Sequence, residues 1–203
     1  MQKKPFGKIL EFWFEGVTDQ VLIDKKQSPF NKWFKDNPSF DQTIRENFEV
    51  DLKKAKEGMY NEWAQSSYGS LALVILLDQF SRNLYRNTLR AYENDAQASA
   101  ISLENVAQGK DLELLLIERL FLYMPLMHAE DVNLQKISVD CFRRLTDDAK
   151  KVSLKNAHYY EEQFNYAKNY FGIVQRFGRF THRNKILGRA STLEELEYLK
   201  QKS

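Results

Sequence analysis

An all-α fold is predicted by two features of the sequence: its apolar spacing and its scarcity of turn residues. Apolar residues recur mostly three and four positions apart, which is the period of an amphipathic helix. Only 8 Gly and 4 Pro punctuate 203 residues, and no alternating run is bounded by the turn signals of a β-hairpin. Short loops separate about eight predicted helices, so we predict one all-α domain over residues 1–203.

The first half of the chain contains three predicted helices and an aromatic cluster. Apolar spacing predicts a helix over residues 6–14, and three aromatic side chains crowd residues 30–34. Proline suits a first helical turn, so a helix is predicted from residue 38 through 52, stopped by Gly58. Residues 71–80 form a nearly all-apolar helix. Such a helix is typically central and buried.

Two predicted helices occupy the middle of the chain. Asn94 and Asp95 are expected to cap a helix that ends at Gly109, since both residue types favour the N-cap position. Asp111 opens the next helix, predicted over residues 111–123. Pro125 bends or ends that helix, because proline lacks the backbone N–H that a helix interior requires.

The C-terminal part is predicted to hold two longer helices and a short terminal one. The longer helices cover residues 132–145 and 154–177 by their apolar spacing. Ser191 and Glu194 match the capping-box pattern, which predicts a terminal helix over residues 193–200.

Composition excludes several classes of function. The chain carries 30 Lys and Arg against 28 Asp and Glu, a net charge of +2. This balance argues against a nucleic-acid partner, for which a strongly basic domain is expected. The longest apolar run, residues 71–77, is far shorter than the roughly 20 residues that span a bilayer. No apolar signal core follows Met1, so we expect a cytoplasmic protein with no membrane association. Cys141 stands alone, which excludes an intramolecular disulfide.

The segment RFGRFTHRN, residues 176–184, is the densest cluster of cations in the chain. Gly178 is expected to adopt a left-handed cap at the end of the preceding helix. One interpretation is a clamp for phosphate or carboxylate, because the arginine fork binds either group through two hydrogen bonds. The other is a set of internal ion pairs that fix the terminal helix. The carboxylates expected as partners in that case are Asp78, Glu118, Glu130 and Asp131.

A shorter basic segment, DQFSRNLYR, covers residues 78–86. Asp78 and its neighbour Gln79 end the apolar helix, so we expect both side chains at the rim of the core. If the two arginine segments pack together, Asp78 is expected to accept hydrogen bonds from Arg179 or Arg183. Arg82 and Asn83 would then face the same cavity. The paired FxRN elements, residues 80–83 and 180–184, indicate a weak internal repeat of helical hairpins.

A candidate acid–base group lies in ERLFLYMPLMHAED, residues 118–131. Pro125 is predicted to break the helix just before His128, which would place this histidine at a pocket edge. Histidine titrates near physiological pH and can act as a general base. Glu130 and Asp131 could orient the ring. The HxED spacing matches no zinc motif, so we expect no metal and no cofactor.

The quoted motifs, together with those near the N-terminus, resemble the DUF924 family of uncharacterised bacterial proteins. The resemblance spans nearly the whole chain and implies antiparallel helical hairpins stacked in a right-handed superhelix, similar to tetratricopeptide repeats. It implies no reaction. Thr181 stands where the family usually has Pro, Ala129 replaces a common Ser, and Tyr170 replaces a common His. The matching stretches are ILEFWF (9–14), WFKDNPSFD (33–41), LALVILLDQFSRNLYR (71–86), ERLFLYMPLMHAED (118–131) and RFGRFTHRNKILGRAST (176–192).

These motifs support a protein that binds an anionic small molecule or an acidic peptide in an arginine-lined pocket. An alternative is an enzyme for an anionic metabolite, with His128 or His182 as acid or base and Asp78 beside them. A third is a homodimer formed through the surplus of aromatic residues in the helix over 154–177. The candidate ligand-binding residues are Arg82, Asn83, Arg119, Glu130, Arg176, Arg179, Arg183 and Asn184.

Overall fold

The computed structural model describes residues 5–27 and 29–202 and confirms the all-α class, since no β-strand occurs among them. None of these helices is both long enough and apolar enough to cross a bilayer. Stacking of hairpins into a right-handed superhelix stays a prediction. The α-helices are α1 (Gly7–Phe14), α2 (Phe30–Trp33), α3 (Pro38–Lys56), α4 (Ser67–Val74), α5 (Ser81–Leu84), α6 (Asp95–Ala107), α7 (Leu116–His128), α8 (Val132–Val152), α9 (Ala157–Phe177) and α10 (Leu193–Lys202).

The apolar helix predicted to be central is buried along its whole length. It runs from α4 through a π-helical segment, Ile75–Phe80, directly into α5. Every residue of the π segment is buried. A π turn inserts extra backbone into a helix and is frequent at functional sites. In this protein the π segment carries Asp78 and Gln79, which the sequence singled out.

An aromatic cluster attaches the N-terminal region to α7. The rings of Trp13, Phe14, Trp33 and Phe34 lie 5.5, 5.5, 4.8 and 6.1 Å from Phe121, centroid to centroid. Aromatic pairs at such distances stabilise a fold beyond their simple burial. The cluster therefore fixes α2 against α7, and α2 in turn supplies one wall of the cavity described below.

Helix α7 corrects two predictions. Asp111 does not open this helix but lies in a preceding 3₁₀ turn, Lys110–Glu113, where it accepts a hydrogen bond from Tyr123. Pro125 does not end the helix, which continues to His128. An interior proline removes one backbone hydrogen bond. Nearly every side chain of α7 is buried, and this packing outweighs that loss.

Two predicted helix caps are also wrong in detail. Asn94 stands at the N-cap of α6 without a capping bond and donates instead to the hydroxyl of Ser81, at 2.9 Å. The capping box of α10 lies one residue later than predicted. Thr192 Oγ1 accepts from the amide of Glu195, and the Glu195 carboxylate accepts from the amide of Thr192. Ser191 is displaced because its hydroxyl bonds the Asn184 side chain.

Helices α8 and α9 form a long hairpin that borders the two cavities described below. Helix α8 begins at the predicted residue 132 but extends to residue 152, seven residues past its predicted end, while α9 ends at the predicted residue 177 and begins three residues after its predicted start. Asp131 caps α8 through hydrogen bonds from the amides of Asn133 and Leu134, at 2.8 and 2.9 Å. Gly178 ends α9 with φ of 69°, which confirms the predicted left-handed cap. Because of that turn, the chain after α9 returns towards α6.

Candidate functional site

Two cavities meet at His128. The first has a volume of about 390 Å³, and we call it the basic pocket. The second has a volume of about 500 Å³, and we call it the acidic cleft. The basic pocket is lined by Lys25, Trp33, Phe34, Gln79, Arg82, Asn83, Arg86, Met124, Met127, His128, Tyr159, Gln163, Tyr166 and Tyr170. The acidic cleft is lined by Leu89, Tyr92, Glu93, Asp95, Ala96, Ser99, His128, Ala129, Glu130, Asp131, Leu134, Arg183 and Leu187.

Asp78 and His128 form a buried hydrogen-bonded pair between the cavities. One Asp78 oxygen lies 2.8 Å from His128 Nδ1 and 3.0 Å from Arg82 Nη1. The other oxygen accepts from the Gln79 amide at 2.5 Å. The expectation that Asp78 and Gln79 lie at the rim of the core is wrong, because Asp78 is fully buried and Gln79 is 6% exposed. Three donors surround this carboxylate, which allows its burial.

The protonation states of this pair follow from their surroundings. Burial alone would raise the pKa of Asp78, but the charges of Arg82 and His128 and the hydrogen bonds outweigh it and hold the pKa well below its ordinary value. Burial lowers the pKa of His128 and outweighs the attraction of Asp78. At neutral pH we therefore expect a carboxylate and a neutral imidazole. Nδ1–H then donates to Asp78, which leaves the lone pair on Nε2.

The two arginine segments meet at Asp95 on α6. Arg82 binds Asp95 through both of its terminal nitrogens, at 2.9 and 3.2 Å, and Arg183 Nη1 reaches the same carboxylate at 3.1 Å. The ring of Tyr92 lies beneath both guanidinium groups. The expectation that Asp78 accepts from Arg183 or Arg179 is therefore wrong. The carboxylate that joins the segments is Asp95, a residue singled out only as a helix cap.

Most other candidate cations are held in ion pairs outside the two cavities. Within the described residues, none of the following side chains lines either the basic pocket or the acidic cleft. Arg176 pairs with Glu194 at 2.8 Å, Arg179 binds Glu195 through two bonds of 2.7 and 2.9 Å, and Arg119 reaches Asp148 at 2.9 Å. Asn184 is buried and donates to Ser191 and Glu195. These contacts correspond to the ion-pair interpretation of the arginine segment.

The carboxylates expected to pair with these arginines mostly bind other groups. Glu130 lines the acidic cleft and binds Arg189, a cation the motifs did not single out, at 2.5 and 2.9 Å. Glu118 accepts from the amide of Leu115 at the start of α7. Asp131 caps α8. Partner choice among charged side chains depends on packing between distant helices, which local sequence does not encode.

The ion pair between Arg179 and Glu195 predicts an acid-sensitive attachment of α10. The hydrogen bonds from Arg179 are the main cause that lowers the pKa of Glu195 to about 2. A depressed folded-state pKa gives stability above the ordinary value of about 4.5, lost as pH falls towards 2. We expect Glu195→Gln to flatten the dependence of melting temperature on pH within that window. Glu194→Gln, which removes an exposed carboxylate, should retain the wild-type slope, and equal slopes in both variants would contradict this expectation.

His182 lies apart from the candidate site. Its side chain is exposed, with its ring 5.6 Å from that of Phe180, and it lines neither cavity. Among the described residues, no group of three or more His, Cys, Asp or Glu side chains is arranged to hold a metal ion. His128 is therefore the histidine that borders the cavities.

The sequence did not single out as site residues three side chains that line the basic pocket: Lys25, Tyr159 and Gln163. Lys25 comes from the loop before α2, while Tyr159 and Gln163 lie one helical turn apart on α9. The Tyr159 hydroxyl is buried with no hydrogen-bond partner in the described structure, and the Gln163 side chain makes no hydrogen bond to any described residue. Gln79, which the sequence placed at the rim of the core, also lines the pocket from the π segment. The surplus of aromatic residues on α9 was the signal that could have indicated Tyr159.

Fold and site together define an all-helical protein with a basic, aromatic-walled pocket backed by a buried Asp–His pair. The chain belongs to the DUF924 family, described as bacterial protein of unknown function, whose profile matches residues 9–203. It is also similar to a solved structure, the protein of unknown function ATU0120 from Agrobacterium tumefaciens. The two share 32% identity over 97% of each chain, with a TM-score of 0.74. No match was found among curated proteins.

Two of the three positions at which the sequence resemblance implies a departure from the family pattern line the cavities. Tyr170 lines the basic pocket, and its ring lies 5.1 Å from that of Phe180. Ala129 lines the acidic cleft. Thr181 is buried, and its hydroxyl has no partner in the described structure.

Proposed function

We propose that this protein binds a small anionic molecule with an apolar or aromatic body in the basic pocket. The observation that carries the proposal is the charge of the lining. Lys25, Arg82 and Arg86 line the pocket, and no Asp or Glu side chain does so among the described residues. A cavity bordered by charges of one sign concentrates ligands of the opposite sign.

Two of these cations have partners that a ligand can replace. Lys25 pairs with the partly exposed Glu162 at 2.5 Å. Arg86 pairs with Asp41 and also reaches Asp36, whose side chain is 88% exposed, at 3.1 Å. Exposed ion pairs contribute little to stability, roughly 0–1 kcal/mol. An entering carboxylate or phosphate can therefore take the place of Glu162 or Asp36 at small cost, while Asp41 keeps its two hydrogen bonds from Arg86, at 2.7 and 3.1 Å.

Arg82 has a different role from the other two cations. Its donors are occupied by Asp78, Asp95 and the carbonyl of Ala91. Its side chain is mostly buried, so its charge is fixed beside the pocket. We assign it a positioning role: it holds Asp78 and adds to the positive potential without direct exchange of partners.

The remaining lining suits the apolar part of a ligand. Phe34 stands at the mouth with 52% of its surface exposed. Pockets of roughly 300–1,000 Å³ are typical of small-molecule sites. A volume of about 390 Å³ lies near the lower end of that range, which favours a small molecule over an acidic peptide. The apolar and aromatic walls are Trp33, Phe34, Met124, Met127, Tyr159, Tyr166 and Tyr170.

Calorimetric titration with phenylacetate, phenyl phosphate and the neutral analogue phenylacetamide tests this function. We expect the two anions to bind, with an affinity that falls as salt rises. The double variant Lys25→Gln, Arg86→Gln should bind at least tenfold more weakly. Arg143→Gln is the matched control, because it removes an exposed arginine that lines neither cavity. Equal binding of phenylacetamide, or undiminished binding by the double variant, would refute the proposal.

A further inference from the structure

We infer that the basic pocket is a hydrolytic site in which His128 activates water against an ester whose acid part carries a second, anionic group. Asp78 orients His128 from behind. The inference rests on the proposed function, because the pocket cations must hold the anionic group of the substrate. The reaction class follows from three features of the lining: an oriented base, the residues available as nucleophiles, and an unpartnered hydroxyl donor.

The first feature is the orientation of His128. Its Nδ1 lies 2.8 Å from a fully buried carboxylate oxygen of Asp78. Arg82 and Gln79 bind the same carboxylate at 3.0 and 2.5 Å, so Asp78 has no freedom to turn away. His128 Nε2 makes no hydrogen bond to any described residue, and the side chain lines the pocket. A histidine that acts as a general base needs one ring nitrogen held by a hydrogen bond and the other free to take a proton.

The second feature concerns the nucleophile. No Ser, Thr or Cys belongs to the part of the basic pocket that the structure describes. A covalent intermediate on a Ser, Thr or Cys side chain of the lining is therefore excluded for this part of the chain. The base must act on a small molecule that enters with the substrate. Water is always present, and hydrolysis requires no further reactant.

The third feature is the hydroxyl of Tyr159. Tyr159 is 8% exposed and lines the pocket, and its hydroxyl has no partner in the described structure. Burial raises the pKa of this phenol, so the hydroxyl keeps its proton and can donate it in a hydrogen bond. Gln163, on the next turn of α9, offers an amide without a described partner. A buried polar donor without a partner is costly unless a ligand supplies the acceptor.

The chemical step is balanced without a cofactor. His128 Nε2 takes a proton from water as the water oxygen forms a bond to the ester carbonyl carbon. The negative charge that develops on the carbonyl oxygen is stabilised by donors such as Tyr159. The bond between the carbonyl carbon and the ester oxygen then breaks. The leaving oxygen receives the proton from the imidazolium, which restores neutral His128 and yields an acid and an alcohol.

The test uses the mono-p-nitrophenyl ester of succinic acid, with p-nitrophenyl acetate as the neutral comparison. Release of p-nitrophenolate is measured for the purified protein. We expect the rate with protein, divided by the buffer rate of the same ester, to exceed one for the succinate ester and to be larger for it than for the acetate, because the succinate carboxylate also accelerates the uncatalysed reaction. His128→Gln should lower kcat by about 10²-fold or more, and Tyr159→Phe by about 10-fold or more. Arg143→Gln, an exposed substitution outside both cavities, should leave the rate unchanged.

The pH profile distinguishes a base from a structural histidine. Activity should rise as His128 loses its proton and level off at higher pH. Because burial lowers the pKa of His128, the midpoint of this rise should lie below the ordinary imidazole pKa of about 6.5. A rate in His128→Gln that keeps this profile would overturn the assignment, since the variant has no titrating ring at that position.

Phenylacetate binding by each variant separates failure of this inference from failure of the proposed function. Wild-type protein that binds phenylacetate but hydrolyses neither ester above the buffer rate would overturn hydrolysis and leave anion binding intact. Wild-type protein that does neither would overturn both. If His128→Gln fails to fold, the Tyr159→Phe variant tests the inference instead. A folded Tyr159→Phe variant with the full wild-type rate would overturn the assignment of the basic pocket as the hydrolytic site. Equal enhancement of the acetate and succinate esters over their own buffer rates would overturn the role of the cations.

Discussion

Replacing Asp78 by Ala is expected to lower the free energy of unfolding by about 3–5 kcal/mol, the usual cost of removing one partner from a buried ion pair. Asp78 is fully buried and accepts from Gln79, Arg82 and His128. Its loss would leave the mostly buried charge of Arg82 with Asp95 as its remaining carboxylate. The truncation also leaves a void in the π segment, which adds to the cost.

Urea denaturation of Asp78→Ala and of Asp140→Ala measures this effect against a matched control. Asp140 is an exposed aspartate that pairs with Arg143 at 3.2 Å, so its removal should change stability by less than about 0.5 kcal/mol. Asp78→Asn keeps the volume and removes the charge, and we expect a loss between those of the other two variants. A loss below about 1 kcal/mol for Asp78→Ala would show that the buried ion network does not hold the core.

Replacing Gly69 by Ala is expected to destabilise the protein by about 3 kcal/mol, at the upper end of ordinary overpacking. A Cβ atom on Gly69 would overlap the carbonyl oxygen of Trp63 and lie 2.8 Å from its carbonyl carbon. The Trp63 carbonyl belongs to the backbone of a 3₁₀ turn, Asn61–Gln65, so it cannot rotate away as a side chain would. The start of α4 would have to move, and the π segment continues from α4.

Replacing Gly172, a second glycine within a helix, by Ala is expected to stabilise the protein, in contrast to the replacement of Gly69. Gly172 lies within α9, is exposed, and has no heavy atom within 4 Å of an added Cβ. Alanine there should stabilise the protein by about 0.5–1 kcal/mol, because glycine loses more conformational freedom in a helix. The two melting temperatures should therefore shift in opposite directions. Similar shifts would contradict the close approach of α4 to the Trp63 turn.

The buried charges beneath the basic pocket carry a stability cost of their own. Placing Asp78 and Arg82 away from water requires desolvation that well-packed apolar residues of similar volume would avoid. The cluster borders two cavities, and perturbed titratable groups are concentrated at functional sites. Its position is consistent with the proposed role, in which Asp78 fixes His128 and Arg82 fixes Asp78. The Asp78→Asn variant can therefore be compared in both stability and ester hydrolysis.

Local chemistry determined much of the fold from the sequence alone. Apolar spacing of three and four indicates helices because it places one face of each against the core. The long apolar run at residues 71–77 indicated a buried central helix, and it is buried throughout. Gly178 indicated a left-handed helix end, since only glycine adopts that conformation without strain. Each of these inferences depends on residues within one or two turns of one another.

Tertiary structure alone decided which residues form the site. Arg183 and Asp95 are 88 positions apart, and their pairing depends on how the chain after α9 returns to α6. The motifs indicated arginines in need of acidic partners, but packing selected Asp95 and not Asp78. Lys25 and Tyr159 entered the basic pocket for the same reason. Helix formation is governed by neighbours along the chain, whereas a cavity is formed by side chains that only the packing of distant helices brings together.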